Sequence, residues 1–298
     1  MNCTFFLQHF IHLPRRIVRE TIVVIQLVRF FLINRCGRSP ITEPGGPFVS
    51  LTTYGKRSEK VYYAIESIAG GDVRPSRLIL WVDDEALLKS LPATIRRLQT
   101  RGLEVKPCKN YGPHKKYYPY VESQEAFDIP LVTADDDIFY PRYWLKELVD
   151  ANCKYPENLN CFWVHEVAVN ENGIERYGEW TQCNTTRPSF RHLVHSGIGT
   201  IYPPGFLMTL KSAGSAFEAC CPKGDDLWLH VQALRSGRKV RQIIPRLSYY
   251  SFQGVPGTHH NALCYDNVDN SGYDLQVKAT YNELDIQVLR TDCGVTPR

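Results

Sequence analysis

Apolar and polar positions alternate along the chain in blocks that predict short buried strands and amphipathic helices. Short apolar runs bounded by turn residues, typical of buried strands, occupy residues 47–54, 77–84, 103–108 and 129–137. Between them, residues 58–70 and 91–102 repeat apolar positions at helical spacing and end at glycine. Residues 140–156 begin a further helix near Pro141. This β-α-β-α-β order predicts a mainly parallel sheet covered by helices.

Polar clusters follow three of the predicted strands at the point where each strand ends. The carboxyl ends of parallel strands meet at one edge of a sheet, and ligands of such sheets bind there. We therefore expect one site to contain the clusters Thr52-Thr53-Tyr54, Asp83-Asp84 and Asp135-Asp136-Asp137.

Residues 14–38 form a largely apolar segment that charged residues interrupt between Ile17 and Ile33. A membrane-spanning helix needs about 20 largely uncharged residues, so this segment does not match one. At about 100° per residue, several polar side chains share one stripe of a helix. They are Arg15, Arg19, Gln26 and Arg29.

This pattern predicts an amphipathic helix with a narrow basic seam whose cations face the head groups of an anionic membrane surface. A helix packed on the domain or on a partner chain, and a signal anchor, are the alternatives. A Gly- and Pro-rich loop from Gly37 to Pro47 follows. The expected units are an N-terminal helix and linker (1–40), a main domain (47–267) and a C-terminal helical extension (268–298).

Composition narrows the class of protein. The chain has 298 residues, of which 43% are hydrophobic and 22% charged, as in an ordinary globular protein. A formal net charge of +4 is too small to indicate nucleic-acid binding. The ten cysteines contain no C-x-x-C pair, which predicts reduced thiols in the cytosol rather than a zinc site.

The triplet Asp135-Asp136-Asp137 places three like charges side by side after the apolar run of residues 129–132. Such a cluster is unfavourable unless positive charge lies nearby. Mg²⁺ and Mn²⁺ prefer oxygen ligands and are often held by one or two carboxylates plus substrate phosphates. The triplet therefore predicts a metal site for its outer two carboxylates. The alternative is a solvated acidic loop in which one aspartate caps the next helix.

Two further blocks carry candidate binding residues. Lys116 follows a Gly-Pro turn in NYGPHKKYYP and is a candidate to neutralise a diphosphate, with an ordinary basic surface loop as the alternative. The block HSGIGTIYPPGFL contains glycines that either let the backbone approach a ligand or simply form turns. These glycines are Gly197, Gly199 and Gly205.

Candidate chemistry continues toward the C-terminus. Asp225 and Asp226 introduce a helix in CPKGDDLWLHVQAL, where an aspartate serves either as a general base or as a helix cap. His259 and His260 are candidates to complete a metal site or contact a phosphate, with an ordinary histidine pair as the alternative. A G-x-x-x-x-G-K-[ST] loop is missing from the sequence, which argues against a P-loop nucleotidase.

The order of these blocks resembles bacterial glycosyltransferases of the GT-A fold, in the polysaccharide-assembly branch with a D-x-D metal motif. The resemblance covers residues 47–267 through VSLTTYGKR, RPSRLILWVDD, YGPHKKYYP, PLVTADDDIFYPRYWLKEL, GTIYPPGFL and GDDLWL. It implies an α/β fold whose Rossmann-like, mixed, mainly parallel sheet is flanked by helices, after the N-terminal amphipathic helix. It also implies a hexosyltransferase-like enzyme that requires Mn²⁺ or Mg²⁺.

The resemblance implies roles for individual positions. Asp135 and Asp137 match the metal ligands, and Asp226, or failing that Asp225, matches the base of inverting members. Asn110 stands where an acid is expected, which leaves its role open. The positions that match donor and nucleotide binding are Thr52, Thr53, Tyr54, Arg57, Asp84, Lys116 and Asp136.

The implied function is transfer of a sugar from a nucleotide sugar, with UDP as the expected nucleotide, to a glycan or lipid-linked acceptor. The expected setting is cell-surface polysaccharide synthesis by a cytoplasmic enzyme held at the inner face of the cell membrane. One alternative is a nucleotidyl or phosphoryl transferase that uses the same carboxylates. The other is a non-catalytic subunit of a glycan-assembly complex, against which the intact DDD and GDD blocks argue.

Overall fold

A computed structural model describes residues 3–248, 251–258 and 272–292, with the side chains of the first helix described from residue 16 onward. In this part of the chain the α-helices are α1 (Cys3–Cys36), α2 (Val61–Ala69), α3 (Glu85–Lys89), α4 (Ala93–Gln99), α5 (Tyr118–Ser123), α6 (Trp144–Lys154), α7 (Ser196–Gly199), α8 (Pro204–Ala213), α9 (Phe217–Cys220), α10 (Asp225–Arg235), α11 (Gly272–Thr280) and α12 (Glu283–Thr291). The strands are β1 (Phe48–Thr52), β2 (Arg77–Val82), β3 (Leu103–Pro107), β4 (Leu131–Thr133), β5 (Ile138–Phe139), β6 (Leu159–Cys161), β7 (Val164–Glu166), β8 (Val169–Asn170), β9 (Gly173–Ile174), β10 (Thr181–Gln182), β11 (His192–Val194), β12 (Thr200–Tyr202), β13 (Val240–Gln242) and β14 (Gln253–Gly254).

The central sheet is mixed and mainly parallel, as the sequence predicts. Its strand order is β13-β6-β12-β4-β1-β2-β3. Strand β1 pairs in parallel with β2 and β4, β2 pairs in parallel with β3, and β6 with β13. Strand β12 runs antiparallel between β4 and β6. A smaller antiparallel sheet has the order β10-β7-β11.

Strand β2 shows why the central sheet is buried on both faces. Successive side chains of a strand point to opposite faces. Leu78, Leu80 and Val82 belong to one apolar cluster. Ile79 and Trp81 belong to another. Because both faces are covered, the strand is a nearly continuous apolar run rather than an alternating one.

The predicted strands at residues 47–54, 77–84 and 103–108 correspond to β1, β2 and β3. A turn-rich loop is one of the two interpretations of residues 195–207, whereas the structure forms α7, β12 and the start of α8 there. Strand β12 is three residues long and is flanked by glycine and proline, so its apolar signal is too short to separate from a turn.

The C-terminal helices α11 and α12 share the core of the main domain. Tyr273 and Val277 of α11 and Leu289 of α12 pack in the same apolar cluster as Leu227 of α10. Helix α12 begins with a capping box at Asn282, which satisfies backbone N–H groups of its first turn. Residues 272–292 are therefore helical and packed on the domain.

Helix α1 packs along one side and exposes an apolar opposite side. Phe30 is 4% exposed, and its ring stacks on Phe139 with centroids 5.9 Å apart. Seven apolar side chains that are 47–59% exposed share one stripe of the helix. This outer face of α1 consists of Ile17, Val18, Val24, Ile25, Val28, Phe31 and Leu32.

Arg19, which belongs to the basic seam predicted for this helix, contacts the domain. Nε of Arg19 donates a hydrogen bond of 2.6 Å to Oε1 of Gln253. Arg19 is nevertheless exposed, and the apolar face on the other side of the helix is exposed as well. Within the described residues, the helices are too short or too polar to cross a bilayer.

A buried ion pair joins α1, α2 and the end of α4. Oε1 of Glu66 accepts hydrogen bonds from Nη1 of Arg101 at 2.5 Å and from Nδ2 of Asn34 at 3.1 Å. The Glu66 side chain is 0% exposed and that of Arg101 is 6% exposed. The pair is thus shielded from water and anchors α1 to the domain.

We expect Glu66→Ala to lower the free energy of unfolding by about 3–5 kcal/mol, because it leaves the buried guanidinium of Arg101 without its carboxylate. Glu20→Ala is the matched control, since it removes an exposed ion pair, that of Glu20 with Arg16 within α1. It should leave the urea midpoint unchanged. Equal urea midpoints for Glu66→Ala and the wild type would contradict the role given to this pair.

Candidate active site

A cavity of about 600 Å³ lies at the carboxyl ends of β1, β2 and β4. This is the edge of the sheet at which the sequence predicts a site. The turn at Gly112–Lys116 and the start of α10 complete the wall. Three predicted clusters, namely the Asp triplet, Lys116 and the Asp225-Asp226 pair, therefore meet in one cavity.

Arg57 supplies positive charge to the Asp triplet. Its Nη1 donates to Oδ1 of Asp136 at 2.8 Å, and its Nη2 donates to Oδ2 of Asp137 at 2.5 Å. Oδ2 of Asp136 accepts from Oγ1 of Thr53 at 2.6 Å, and Asp136 is 3% exposed. Both oxygens of Asp136 are thus engaged by protein groups. This side chain holds Arg57 and also lines the cavity, where the resemblance implies that it contacts the donor.

Lys116 is the second cation of the site and joins the two acidic clusters. Its Nζ lies 2.8 Å from Oδ1 of Asp135 and 3.3 Å from Oδ2 of Asp225. It also donates to Oγ of Ser196 at 3.2 Å. Burial alone would lower the pKa of Lys116, but the nearby carboxylates outweigh it and raise this pKa well above its usual value. Lys116 therefore stays charged at neutral pH.

Burial and the neighbouring carboxylates both raise the pKa of Asp136. Burial raises the pKa of Asp136 to about 7, although Arg57 and the Thr53 hydroxyl oppose the shift. The neighbouring Asp137 and Asp135 raise it further. The triplet therefore contains more negative charge than Arg57 alone neutralises.

Asp83 and Asp84 have different places in the structure. Oδ1 of Asp84 accepts from the backbone N–H groups of Ala86 and Leu87 and so caps α3. Asp83 is the one of the two that lines the cavity, and its Oδ1 lies 2.7 Å from Nζ of Lys115. The structure therefore places Asp83, and not the predicted Asp84, at the cavity, since β2 ends at Val82, two residues earlier than the pattern suggests, and Asp84 caps α3.

The first strand end contributes to the cavity in two ways. Thr52 and Tyr54 line it, and the guanidinium of Arg57 lies 5.3 Å from the centre of the Tyr54 ring. Thr53 is 0% exposed and acts from behind the wall through its bond to Asp136. Thr53 is thus a supporting residue and does not present a surface to a ligand.

Asp225 and Asp226 begin α10 and have separate partners. Oδ2 of Asp225 accepts from Oγ of Ser196 at 2.7 Å and lies near Lys116. Oδ1 of Asp226 accepts from the N–H of Ser196 at 2.8 Å, and its Oδ2 lies 3.2 Å from Nδ1 of His195. Burial raises the pKa of Asp226, but His195, Lys116 and this N–H outweigh it, so the net shift is downward.

Several cavity residues were not among the predicted site residues. His195 and Tyr177 line the cavity beside Asp226, together with Tyr273 of α11. His165 of β7 lies behind His195, with 2.9 Å between their ring nitrogens. These residues come from segments far apart in sequence, so the sequence pattern contains no spacing that would group them.

Gly197 approaches the Asp triplet rather than an open space. A Cβ added there would lie 1.8 Å from Oδ2 of Asp135. Gly199 has a φ of +121°, and a Cβ there would lie 2.2 Å from Nε1 of Trp144. The glycines of this block therefore allow close packing of α7 against the carboxylate and against α6.

The charge balance and donor atoms of the cavity fit a divalent cation. The cavity is lined by six carboxylates and four cations, a formal excess of two negative charges; the carboxylates are those of Asp83, the triplet and the Asp225-Asp226 pair, and the cations are Arg57, Lys115, Lys116 and Lys223. Asp135 and Asp137 line the cavity, and the Asp135 side chain is 31% exposed. Mg²⁺ and Mn²⁺ need one or two such carboxylates when substrate phosphates provide other ligands.

The protein's own side chains do not complete a cation site in the part of the chain that the structure describes. There, groups of three or more His, Cys, Asp or Glu side chains placed to hold a metal are absent. The predicted ligands His259 and His260 lie outside the described residues. At sites with one or two carboxylates, substrate phosphates and water supply the remaining ligands of Mg²⁺.

Comparisons with known proteins give distant structural similarities. Family models and curated protein sequences yield no match to this chain. Residues 1–349 of S. aureus TarS, alone and with UDP, give a TM-score of 0.43 at 15% and 16% identity, over 69% of this chain and 59% and 58% of that one. GalNAc-T7 with UDP, GalNAc and Mn²⁺ gives a TM-score of 0.46 at 12% identity, over 74% of this chain and 47% of that one. The chain thus spans about half to three fifths of the length of these structures.

Proposed function

We propose that the chain is a metal-dependent glycosyltransferase that transfers a sugar from a nucleotide sugar to a glycan or lipid-linked acceptor. The observation that carries this proposal is one cavity that contains both a pair of carboxylates suited to a divalent cation and a separate carboxylate suited to act as a base. Asp135 and Asp137 form the pair, and Asp226 is the base. Lys116 lies between the two acidic clusters, where a diphosphate needs positive charge.

The donor part of the cavity is assigned to residues around the triplet. Asp135 and Asp137 would hold Mn²⁺ or Mg²⁺, which would supply positive charge near the departing nucleoside diphosphate. Lys116 supplies a second positive charge to the same diphosphate. Tyr54 and Asp83 border the nucleoside, for which UDP is the first candidate. Arg57 keeps the triplet in place through Asp136 and Asp137.

Asp226 acts as the general base for the acceptor. It removes the proton from an acceptor hydroxyl as that oxygen attacks the anomeric carbon of the donor sugar. The bond from that carbon to the diphosphate breaks, and the diphosphate leaves with the electron pair. One displacement assisted by one base inverts the anomeric configuration. Asp225 is occupied by Lys116 and Ser196 and is therefore assigned to holding the lysine.

A donor panel tests this proposal. Purified protein is incubated with UDP-, GDP- and dTDP-sugars in Mn²⁺ or Mg²⁺, with EDTA as the control, and nucleoside diphosphate release is measured. We expect release with one nucleotide class, abolished by EDTA, and a product of inverted configuration by NMR. Release equal to the EDTA control with every donor would contradict a transferase.

We also propose that the outer face of α1 attaches the enzyme to the cytoplasmic face of an anionic membrane, where polysaccharide assembly supplies lipid-linked acceptors. The apolar stripe is 47–59% exposed along four turns of helix, as expected of an interfacial helix. Arg16 is 74% exposed at its side chain, and Arg35 and Arg38 are exposed at the other end. These cations favour anionic lipid head groups.

Replacing both Ile25 and Val28 with glutamate should reduce flotation with anionic liposomes by more than about tenfold, since each loses roughly 1.5–3 kcal/mol of apolar burial. The matched control replaces Leu275 and Leu284 with glutamate, because these side chains are 67% and 70% exposed but lie on α11 and α12. Equal flotation of the two variants would argue against the outer face of α1 as the membrane contact.

A further inference from the structure

A line of polar side chains leads away from Asp226 and takes no part in the mechanism above. Nδ1 of His195 lies 3.2 Å from Oδ2 of Asp226, and Nε2 of His195 lies 2.9 Å from Nδ1 of His165. The hydroxyl of Tyr177 lies 3.3 Å from that same Nδ1. The line therefore runs from the proposed base through two imidazole rings.

Paired strands hold the two histidines in place. His165 in β7 pairs with Leu193 of β11, two residues before His195. The backbone N–H of His195 donates to the carbonyl of Trp163 at 3.1 Å. The two imidazole rings cross at 88° with centroids 4.6 Å apart, and the Trp163 ring packs edge-on against both. Packing thus restricts the rotation of both rings.

The contacts determine which nitrogen carries the proton when both rings are neutral. An ionised carboxylate accepts hydrogen bonds and donates none, so Nδ1 of His195 donates to Asp226. Nε2 of His195 is then an acceptor, and Nδ1 of His165 donates to it. Burial lowers the pKa of His165 to about 4, which keeps this ring neutral near pH 7.

We propose that His195 is a positioning residue for Asp226, and that His165 holds His195 in the tautomer that this role requires. The role rests on the proposed function, since it concerns the carboxylate that receives the acceptor proton. Oδ1 of Asp226 is held by the N–H of Ser196 and Oδ2 by His195, so the carboxylate plane is fixed. During transfer the acceptor proton moves to Asp226, and both histidines keep the protons they have.

Comparing the variants His195→Asn and His195→Ala distinguishes a positioning role of His195 from a purely structural one. The side-chain amide of asparagine places an N–H close to where histidine has Nδ1, whereas alanine has no donor. We expect His195→Ala to lower kcat by about 100-fold, as a misplaced catalytic group does, with the KM for donor unchanged. His195→Asn should recover most of the loss. His165→Leu should lower kcat by a smaller factor than His195→Ala.

Nitrogen-15 NMR of labelled histidines provides a second readout that needs neither substrate nor activity. We expect His195 and His165 both to be protonated at Nδ1, and the His195 signals to change in Asp226→Asn. Protonation of His195 at Nε2, or equal kcat for His195→Ala and His195→Asn, would overturn the positioning role and leave the transferase proposal intact. Absence of transfer by the wild type with every donor would overturn the proposed function, whatever the tautomers are.

Discussion

Asp226→Asn is expected to lower kcat by about 10²- to 10⁴-fold, which is the usual contribution of a positioned general base. Asparagine keeps the size of the side chain and accepts a hydrogen bond from Ser196, but it does not take up a proton. The carboxylate of Asp226 has a pKa lowered by His195 and Lys116 against the effect of burial, so it is ionised at neutral pH. Pre-steady-state measurement of product formation at saturating donor checks the chemical step itself.

The adjacent Asp225→Asn variant is the matched comparison. Asp225 engages Lys116 and Ser196, so its loss should act on the donor and raise the KM for nucleotide sugar more than it lowers kcat. A larger loss of kcat in Asp225→Asn than in Asp226→Asn would indicate that Asp225 is the general base and that Asp226 is not. Unchanged kcat in both variants would show that neither aspartate is the general base.

The second large effect concerns the metal. Asp135→Asn and Asp137→Asn should each raise the concentration of Mn²⁺ or Mg²⁺ needed for half-maximal transfer. The increase should exceed the roughly 10- to 100-fold typical of residues that only support a ligand. The reason is that one or two carboxylates supply all the protein ligands such an ion has. The concentration of metal that gives half-maximal transfer, measured at fixed donor, is the quantity to compare.

Asp84→Asn is the control for the metal variants. It also replaces a strand-end aspartate, but Asp84 caps α3, and asparagine is an equally good cap. Its metal requirement should equal that of the wild type. Undiminished transfer by Asp137→Ala under saturating metal would contradict the metal assignment.

The sheet is predictable from the sequence because its strands are buried on both faces. The apolar runs at β1, β2 and β3 are long enough to recognise, and parallel order follows from the helices between them. Their shared carboxyl edge then predicts that the polar clusters after β1, β2 and β4 lie close together, and Thr52, Tyr54, Asp83 and the Asp triplet do line one cavity. Strand β12, three residues long, is beyond this kind of inference.

Two details of the structure depend on tertiary packing rather than on the local sequence pattern. Whether Asp83 or Asp84 enters the cavity depends on where β2 stops and α3 begins, and the cap of α3 captures Asp84. The side of α1 that packs depends on partners such as Phe139 and Gln253, which are distant in sequence. The ion pairs of Arg57 with Asp136 and Asp137 and the His165–His195 contact likewise arise from tertiary packing.

The central claim is that the cavity at the Asp triplet binds a nucleoside diphosphate together with a divalent cation. The most direct measurement is a crystal structure of the protein with UDP and MnCl₂, with the manganese located by its anomalous signal. The account predicts a manganese ion in contact with Asp135 and Asp137, and a diphosphate beside Lys116. UDP bound elsewhere, or manganese bound away from these two carboxylates, would contradict it.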